Sequence, residues 1–321
     1  MSRDPLAALF AAVDAAPDDD APRRVLADAL LELGDPRGEL IALQLAPVLD
    51  DARIRALLDA HRAEWAGKLD LIGDVVFERG FPARVTIGGP AVVKLGALQL
   101  RPTIHTLALR LDRGDQMPKR VHVPASVRTF ELEARFHGLP AIKAGAALRR
   151  VALDVATVAR GDLAGLAAIA DLQLRANHLD EAALAPVTGL RALVIAALQR
   201  IVDLRHLTRL EELTTYATAL PRLAGPIRAL RCPMIRVGQI VDPLPLRVVS
   251  ALATPDDLPH LEAFVARYPD LDELTLQPVH AIAGIAGAIA ELVGATRVRT
   301  LTLGPRTVFR RAAPGNDWSS P

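Results

Sequence analysis

The segment that decides the fold is Ile169-Ala-Asp-Leu172-Gln-Leu174-Arg-Ala-Asn-His-Leu179. Leu172 and Leu174 flank a single polar residue, and side chains two apart on an extended chain point to the same side. We therefore predict a short strand that buries both leucines. The residue between them, Gln173, faces the opposite side.

The same pattern, two apolar residues around one intervening residue, recurs from residue 85 onward with a period of about 21 residues. Self-similarity at such a period is typical of repeat architectures, in which each unit adds one strand to a parallel sheet. The paired positions are Val85/Ile87, Leu107/Leu109, Phe130/Leu132, Val151/Leu153, Leu172/Leu174, Leu193/Ile195, Leu213/Thr215, Leu230/Cys232, Val248/Ser250, Leu274/Leu276 and Leu301/Leu303.

Residues 169–179 resemble the leucine-rich-repeat family, whose pattern has three spaced leucines, an asparagine and a further leucine. The resemblance implies that the Asn177 side chain bonds the backbone of the turn after the strand. The predicted fold class is α/β, a leucine-rich-repeat-like solenoid with a parallel sheet over residues 81–304, followed by a tail over 305–321. The alternative is an unrelated α/β domain whose strands happen to be evenly spaced.

Two longer connecting segments near the C-terminal end predict helices. Asp256 and Asp257 are placed to cap the first of them, which Pro269 stops. The second is predicted from about Ile282 to Val293.

Residues 1–80 show no such repeat and predict an all-helical module. Pro22 stands just inside the second predicted helix and Gly34 just after it, which is the usual placement of these residues at helix ends. The predicted helices are Pro5–Val13, Pro22–Leu33, about Arg37–Leu49, and Ala52–Ala66.

The module also carries a string of residues that is similar to a known family. The string consists of Asp19-Asp20-Ala-Pro22-Arg23, Ala27-Asp28, Gly34-Asp35-Pro36-Arg37-Gly38-Glu39-Leu40-Ile41 with Leu43-Gln44, and later His61, Trp65, Gly67, Phe77, Arg79-Gly80-Phe81 and Val85. Together these residues resemble the bacterial repeat-companion domain, a helical module that precedes leucine-rich-like repeats. The resemblance implies an architecture, with the module capping the first strand, and it implies no reaction. Leu26 and Ala29 depart from the pattern, since the family commonly has Tyr and Trp there.

Composition limits the class of protein. The chain is 51% hydrophobic but 3% aromatic, so Leu, Val, Ile and Ala must fill its core. Residues 1–80 carry 9 Lys and Arg against 16 Asp and Glu, a net −7, which leaves 29 against 21, or +8, for the rest. Cys232 is the single cysteine, which favours a cytoplasmic protein with a small buried thiol. We predict neither an export signal nor a membrane span.

The sequence offers no motif for catalysis, a cofactor or a metal. No two of the eight histidines stand at the spacing of a helical zinc pair, and no glycine-rich phosphate loop or nucleophile elbow is present. We expect no enzyme, with Asp18-Asp19-Asp20 complementing a helix N-terminus rather than binding an ion. Two alternatives stay open: an enzyme whose site is not a local motif, and a nucleic-acid-binding solenoid, which the scarcity of aromatic residues and of Lys/Arg clusters disfavours.

The residues that alternate with the core pairs are predicted to line the concave face of the sheet. We predict a non-catalytic interaction scaffold that binds a protein or peptide there, and we leave open self-association through the C-terminal strand edge at Leu301. The alternative is a solvated face crossed by ion pairs. The candidate residues are Glu131, Glu133, Arg150, Asp154, Asp171, Gln173, Arg175, Glu212 and Tyr216.

Overall fold

The computed structural model describes residues 5–92, 100–197, 203–240, 243–253, 257–278, 289–290, 293, 296, 298–303 and 307–310. Within these residues the chain is an α/β protein with five α-helices and a large, mostly parallel β-sheet. It divides into two compact units, residues 1–155 and 156–321. The domain boundary that the sequence predicts at residue 80 falls inside the first unit.

Four helices open the first unit, where the sequence predicts them. Gly34 adopts a φ of +71° after the second helix, and the Asp35 N–H donates to the Leu30 carbonyl at 2.9 Å, which ends that helix. The third helix begins at once, because the Asp35 carboxylate accepts from the Arg37 N–H at 2.8 Å and Pro36 fills its first position. The four helices are α1 (Pro5–Ala15), α2 (Ala21–Glu32), α3 (Pro36–Leu45) and α4 (Asp51–Ala66).

Helices α2 and α3 pack closely because a glycine lies between them. A Cβ atom built on Gly38 would stand 2.7 Å from the Ala27 carbonyl oxygen, which is too close for any side chain. The apolar core of this part of the unit contains Val13, Leu26, Ala27, Leu30, Ile41 and Phe81.

The strands of the first unit pair in two sheets. Strands β2, β3 and β5 are parallel to one another, and β1 runs antiparallel to β2. The main order is β1-β2-β3-β5-β7, with β4 and β6 forming a separate pair. The strands are β1 (Gly73–Glu78), β2 (Phe81–Gly88), β3 (Thr106–Arg110), β4 (Arg120–His122), β5 (Thr129–Gly138), β6 (Ala141–Lys143) and β7 (Arg150–Val158).

The prediction of an all-helical module over residues 1–80 is wrong at its end. Residues Gly73–Glu78 form the strand β1, in which Val75 and Phe77 are buried and alternate with exposed neighbours. The three consecutive apolar residues 75–77 hide this period of two, because Val76 is apolar but points outward.

The second unit continues with parallel strands from β8 to β14, in chain order, and one helix between β12 and β13. The elements are β8 (Asp171–Leu179), β9 (Ala192–Ala197), β10 (Glu212–Thr215), β11 (Ala229–Arg236), β12 (Val248–Ala253), α5 (Leu258–Arg267), β13 (Glu273–Pro278), β14 (Thr300–Leu303) and β15 (Thr307–Arg310).

The predicted core pairs lie beside one another in the strand register. Leu172 is the partner of Leu193, and Leu193 is the partner of Leu213, so identical positions stack from strand to strand. All the predicted pairs except the one in β12 are buried. The sequence period therefore reports the parallel pairing correctly.

The predicted pair Val248/Ser250 is wrong by one residue. Val249 and Ala251 are the buried residues of β12, and Val249 is the register partner of Leu230 in β11. Two adjacent valines leave the alternation ambiguous, so the sequence alone does not select the inward one.

The C-terminal strand edge is also corrected. The sequence suggests that β14 ends the sheet with an open edge, but β15 pairs with it in antiparallel fashion, with Leu301 opposite Phe309. The chain's own strand β15 takes those backbone hydrogen bonds, so β14 does not present an open edge. Self-association at the C-terminal end of the sheet stays a prediction.

The helices near this end are partly described. Helix α5 is present before Pro269, as predicted, but Asp257 stands at its N-cap position without a side-chain capping hydrogen bond. Asp256, the other predicted cap, lies outside the described residues. The helix predicted from about Ile282 to Val293 lies mostly outside the described residues. Among the helices that the structure describes, none combines the length and the apolar character needed to cross a membrane.

Candidate interaction surface

In both units, the strand side chains that alternate with the buried pairs point away from the core, and we call this side of the strands the open face. The nine predicted residues divide between the units. The first unit holds Glu131 and Glu133 in β5 and Arg150 and Asp154 in β7. The second unit holds Asp171, Gln173 and Arg175 in β8, Glu212 in β10, and Tyr216 just after β10.

In the first unit, an ion pair spans two strands of the open face. The two guanidinium nitrogens of Arg84 in β2 donate to the two carboxylate oxygens of Glu131 in β5, at 3.0 and 2.6 Å. They reach each other across β3 because that strand presents only Thr106 and Ala108 beneath them. Both small residues are buried on the open face as a result.

A second network continues this pattern toward β7. The Glu133 carboxylate pairs with Arg110 at 3.1 Å and with Arg135 at 3.3 Å. Arg135 also donates to Asp154 at 2.8 Å. Three of the predicted carboxylates therefore already have cationic partners within the unit.

These ion pairs affect what the first open face can bind. Each exposed pair stabilises the fold by about 1 kcal/mol or less. A partner that covered these charged groups would have to remove water from them. It would gain few new hydrogen bonds in return, because the arginines and carboxylates already bond to each other. The alternative interpretation of the sequence, a solvated face crossed by ion pairs, describes this unit well.

The open face of the second unit is mostly uncharged. Many of its side chains between the core pairs are small or β-branched and half-buried, whereas Gln173 and Arg231 are exposed. The half-buried uncharged residues of the face are Ala192, Val194, Ala196, Thr214, Val248, Ser250, Leu252, Thr275, Thr300 and Thr302.

Arg231 is an exposed cation of this face. The register places it between Thr214 of β10 and Ser250 of β12. Its ion pair with Glu212 has an N–O distance of 3.7 Å, which is too long for a strong hydrogen bond. Arg231 is therefore much less engaged than Arg84, whose partner lies at 2.6 Å.

Two large apolar side chains are exposed next to Arg231. Tyr216 is 51% exposed and Met234 is 50% exposed. Tyr216 directly follows β10, whose last printed register pair with β11 is Thr214 and Arg231. Met234 lies in β11, within the irregular register between Cys232 and Arg236.

The sequence pattern predicts Glu212 and Tyr216 on this face but does not predict Met234, Leu252 or the arginine partners of the first unit. Met234 lies within the irregular β11 register between Cys232 and Arg236, where the alternation used for the prediction is broken. Arg84 lies 47 residues from Glu131 in the chain, and no local pattern links them.

The predicted role of Asn177 is corrected. β8 stays extended as far as Leu179, and Asn177 is exposed on it rather than enclosed in a turn. Because the strand is longer than expected, the turn begins after Asn177. Its side-chain amide therefore does not make the hydrogen bonds to the turn backbone that the resemblance implies.

The string that resembles the repeat-companion domain holds the N-terminal helices on the β1–β2 hairpin. The Arg37 side chain donates from Nε to the Gly80 carbonyl at 3.2 Å. The Gln44 amide accepts from the Gly80 N–H at 2.7 Å and donates to the Phe77 carbonyl at 3.0 Å. Gly80 is required there, since its φ is +79° and a Cβ atom would stand 2.1 Å from Ile41.

The Arg37 side chain, which bonds to Gly80 of the hairpin, is buried against two aromatic rings. Its guanidinium carbon lies 4.6 Å from the Phe81 ring centroid and 5.2 Å from that of Phe10. Burial, and secondarily the nearby Arg101, lowers the pKa of Arg37 to about 10. The role of this residue in the structure is to join α3 to the hairpin.

The acidic run at residues 18–20 is held by arginines. Asp18 pairs with Arg128, whose hydrogen bond lowers the pKa of the Asp18 carboxyl. Asp20 pairs with Arg79 at 3.3 Å. The part of the chain that the structure describes contains no group of His, Cys, Asp and Glu that could hold a metal.

Two further features of the second unit bear on chemistry. Burial raises the pKa of the Cys232 thiol to about 12, so the thiol stays protonated and unreactive. A hollow of about 530 Å³ is lined by Ala182, Ala185, Asp203, Arg205 and His206. The Asp203 carboxylate is engaged there by Arg205, at 2.6 Å for the closest pair of atoms.

No family model matches the sequence, and no curated protein matches it. The resemblances to the leucine-rich-repeat family and to the repeat-companion domain therefore stay predictions.

Proposed function

We propose that the protein is a non-catalytic, cytoplasmic interaction scaffold that binds a protein or peptide on its open face. In this proposal the parallel strands form a leucine-rich-repeat-like solenoid, and residues 1–80 are a repeat-companion module that caps its first strand. The stacked core pairs and the short connections between most strands support the solenoid.

The observation that carries the proposal is the uncharged open face of the second unit, with Tyr216 and Met234 exposed on it. Small neutral side chains lose little hydration energy when a partner covers them. Tyrosine, methionine and arginine are enriched at the centres of protein interfaces, and tyrosine and arginine are among the residues that supply most of the binding energy. This face combines all three residue types.

The proposal moves the binding centre away from several predicted residues. Glu131, Glu133 and Asp154 are engaged by arginines of the first unit. Tyr216 and Glu212, which the sequence also predicted, belong to the second face and stay in the proposed site. The site therefore contains Glu212, Thr214, Tyr216, Arg231 and Met234.

A photo-crosslinking amino acid placed in the full chain would test this function in the native cell. Substitution at Thr275 or Tyr216 should give one common crosslinked partner. Substitution at Glu133 or Phe136 on the first unit is the matched control, because Phe136 is an exposed aromatic residue of similar size, 57% accessible. A partner crosslinked equally from Glu133 and Phe136 would contradict the proposal.

Once that partner is purified, the pair of changes Tyr216→Ala and Met234→Ala should weaken its binding at least tenfold. Phe136→Ala should leave the affinity unchanged within twofold. Circular dichroism spectra and melting curves that match those of the unchanged protein would show that the fold is intact. An affinity insensitive to Tyr216 and Met234 would refute the proposed surface.

A further inference from the structure

We infer that the segment bound on the second open face is an extended acidic peptide with an apolar anchor, in which Asp or Glu lies within about three residues of a Leu, Ile, Met or Phe. This inference rests on the proposed function and names the chemistry of its partner. It follows from the apolar surface, the charge around it and the width of the patch.

The apolar part of the patch crosses three neighbouring strands. Tyr216 follows β10, Met234 lies in β11, and Leu252 lies half-buried in β12 opposite Arg236. All three residues lie toward the carboxyl ends of these neighbouring strands, and we call them the strip. An aliphatic or aromatic side chain that lay on this strip would bury apolar area on both partners.

The two strands β11 and β12 carry charge of one sign. β11 contains Arg231 and Arg236, and neither strand contains Asp or Glu. The carboxylates of the neighbouring strands, Glu212 and Glu273, lie at the amino ends of β10 and β13, and Glu212 is 3.7 Å from Arg231. A guanidinium can hold a carboxylate by two parallel hydrogen bonds, so Arg231 and Arg236 favour Asp or Glu on the partner.

The two arginines flank the anchor site in the chain. Arg231 and Arg236 lie on β11 on either side of Met234, and both are exposed. A carboxylate on either side of an apolar side chain would therefore find a cation. A basic partner would meet repulsion from both sides.

The width of the patch sets the spacing of the partner's residues. From β10 to β12 there are two interstrand steps of about 4.8 Å, or roughly 10 Å. An extended peptide advances about 3.3 Å per residue, so about three residues cross the patch. The carboxylate and the anchor are therefore expected within three positions of each other.

A displayed library of random decapeptides, selected on the full-length protein, tests the inference. Enriched peptides should carry Asp or Glu within three residues of a large apolar residue. A parallel selection on the double variant Arg231→Glu, Arg236→Glu should lose these peptides. The control variant Arg160→Glu, Arg209→Glu makes the same charge change at exposed loop arginines of the second unit, and it should enrich the same peptides as the unchanged protein.

A synthetic peptide from the enriched set gives the affinity. Fluorescence anisotropy should show at least tenfold weaker binding to the Arg231→Glu, Arg236→Glu variant and weaker binding as salt rises. Enrichment of basic or uncharged peptides, or binding indifferent to the two arginines, would overturn the inference. A single-stranded oligonucleotide of 20 nucleotides that bound more tightly than any peptide, with the same dependence on the arginines, would also overturn it.

The outcome separates this inference from the proposed function. Peptides that require Tyr216 and Met234 but carry no acidic residue would refute the acidic chemistry and leave the binding face in place. Selections in which no peptide depends on Tyr216 or Met234, together with absent crosslinks from Thr275, would refute both.

Discussion

The open faces of the two units differ although their strands pair in the same way. In the first unit, Arg84 and Glu131 join across β3, and Arg110, Glu133, Arg135 and Asp154 form a connected network. In the second unit, the corresponding positions are largely Thr, Ser, Val and Ala. The core pairs determine how the strands pair. The residues between them determine whether the charged side chains of the open face bond to one another.

The difference depends on where small residues stand. Ala108 lets a long arginine of β2 reach a glutamate of β5, so that two charges are held over one buried methyl group. On the second face small residues occupy many of these positions, and the Arg231–Glu212 pair, at 3.7 Å, is longer than the Arg84–Glu131 pair, at 2.6 Å. That face keeps the capacity to bind another molecule.

The largest expected effect concerns the core below the second face. Cys232 lies there directly after Arg231, and its thiol pKa of about 12 keeps it protonated. We expect alkylation by iodoacetamide at pH 8 to be on the order of 10³-fold slower in the folded protein than in the protein unfolded in urea. Mass spectrometry of the alkylated chain measures the rate. Comparable rates in both states would mean that β11 unfolds locally often enough to expose Cys232. The strands below the second open face would then not be stably paired.

The next effect tests whether the two units share one kind of core. Leu132 in β5 and Leu213 in β10 are both buried, at 2% and 0% exposure. Leu132→Ala and Leu213→Ala should each lower the free energy of unfolding by about 2–5 kcal/mol, measured by urea denaturation. A loss below about 1 kcal/mol at either site would show that the units differ in their cores as well as in their open faces.

A smaller effect compares the open faces directly. Ala108→Leu places a large side chain under the Arg84–Glu131 pair and should cost about 1–3 kcal/mol of unfolding free energy. The matched change Thr214→Leu on the second face should stay within about 0.5 kcal/mol, because no ion pair crosses Thr214 in the described structure. Equal costs at the two sites, measured by urea denaturation, would contradict the distinction between the faces.

The smallest effect belongs to one exposed ion pair of the first unit, Asp18–Arg128. Because the pair lowers the pKa of Asp18 from its ordinary value of 3.8, it stabilises the fold above that pH, and its contribution is lost as pH falls through the lowered value. Asp18→Asn should lower stability by less than about 1 kcal/mol at pH 7 and by less still at pH 2.5. Asp28→Asn, at an exposed site of α2, is the control, and a pH-independent loss for Asp18→Asn would refute this account.

The sequence predicts much of the backbone and less of the surface. The core pairs and the helices α1 to α4 follow from local patterns, because the period of apolar residues and the residues at helix ends are local properties. The one-residue error in β12 and the missed strand β1 have a common cause. Val248-Val249 and Val75-Val76-Phe77 are runs of apolar residues, and such runs do not show which side chain points inward.

The predicted candidate residues do alternate with the core pairs, but their partners were not predictable. Glu131 and Glu133 look similar in the sequence to Glu212, since all three are acidic residues in the strand pattern. Only the pairing of strands shows that Arg84 and Arg110 stand beside the first two. Whether two such distant side chains meet depends on their conformations on the folded sheet, and no local sequence pattern contains that information.

The return strand β15 limits how this architecture can change in evolution. A duplicated strand and its loop can be inserted between two parallel strands. On each side the new strand would make the same parallel hydrogen bonds that the existing strands make. Beyond β15 the same duplicate would face a neighbour running the other way, with a different spacing of donors and acceptors. A duplication between two of the parallel strands would therefore disturb fewer hydrogen bonds than a duplication placed directly after β15.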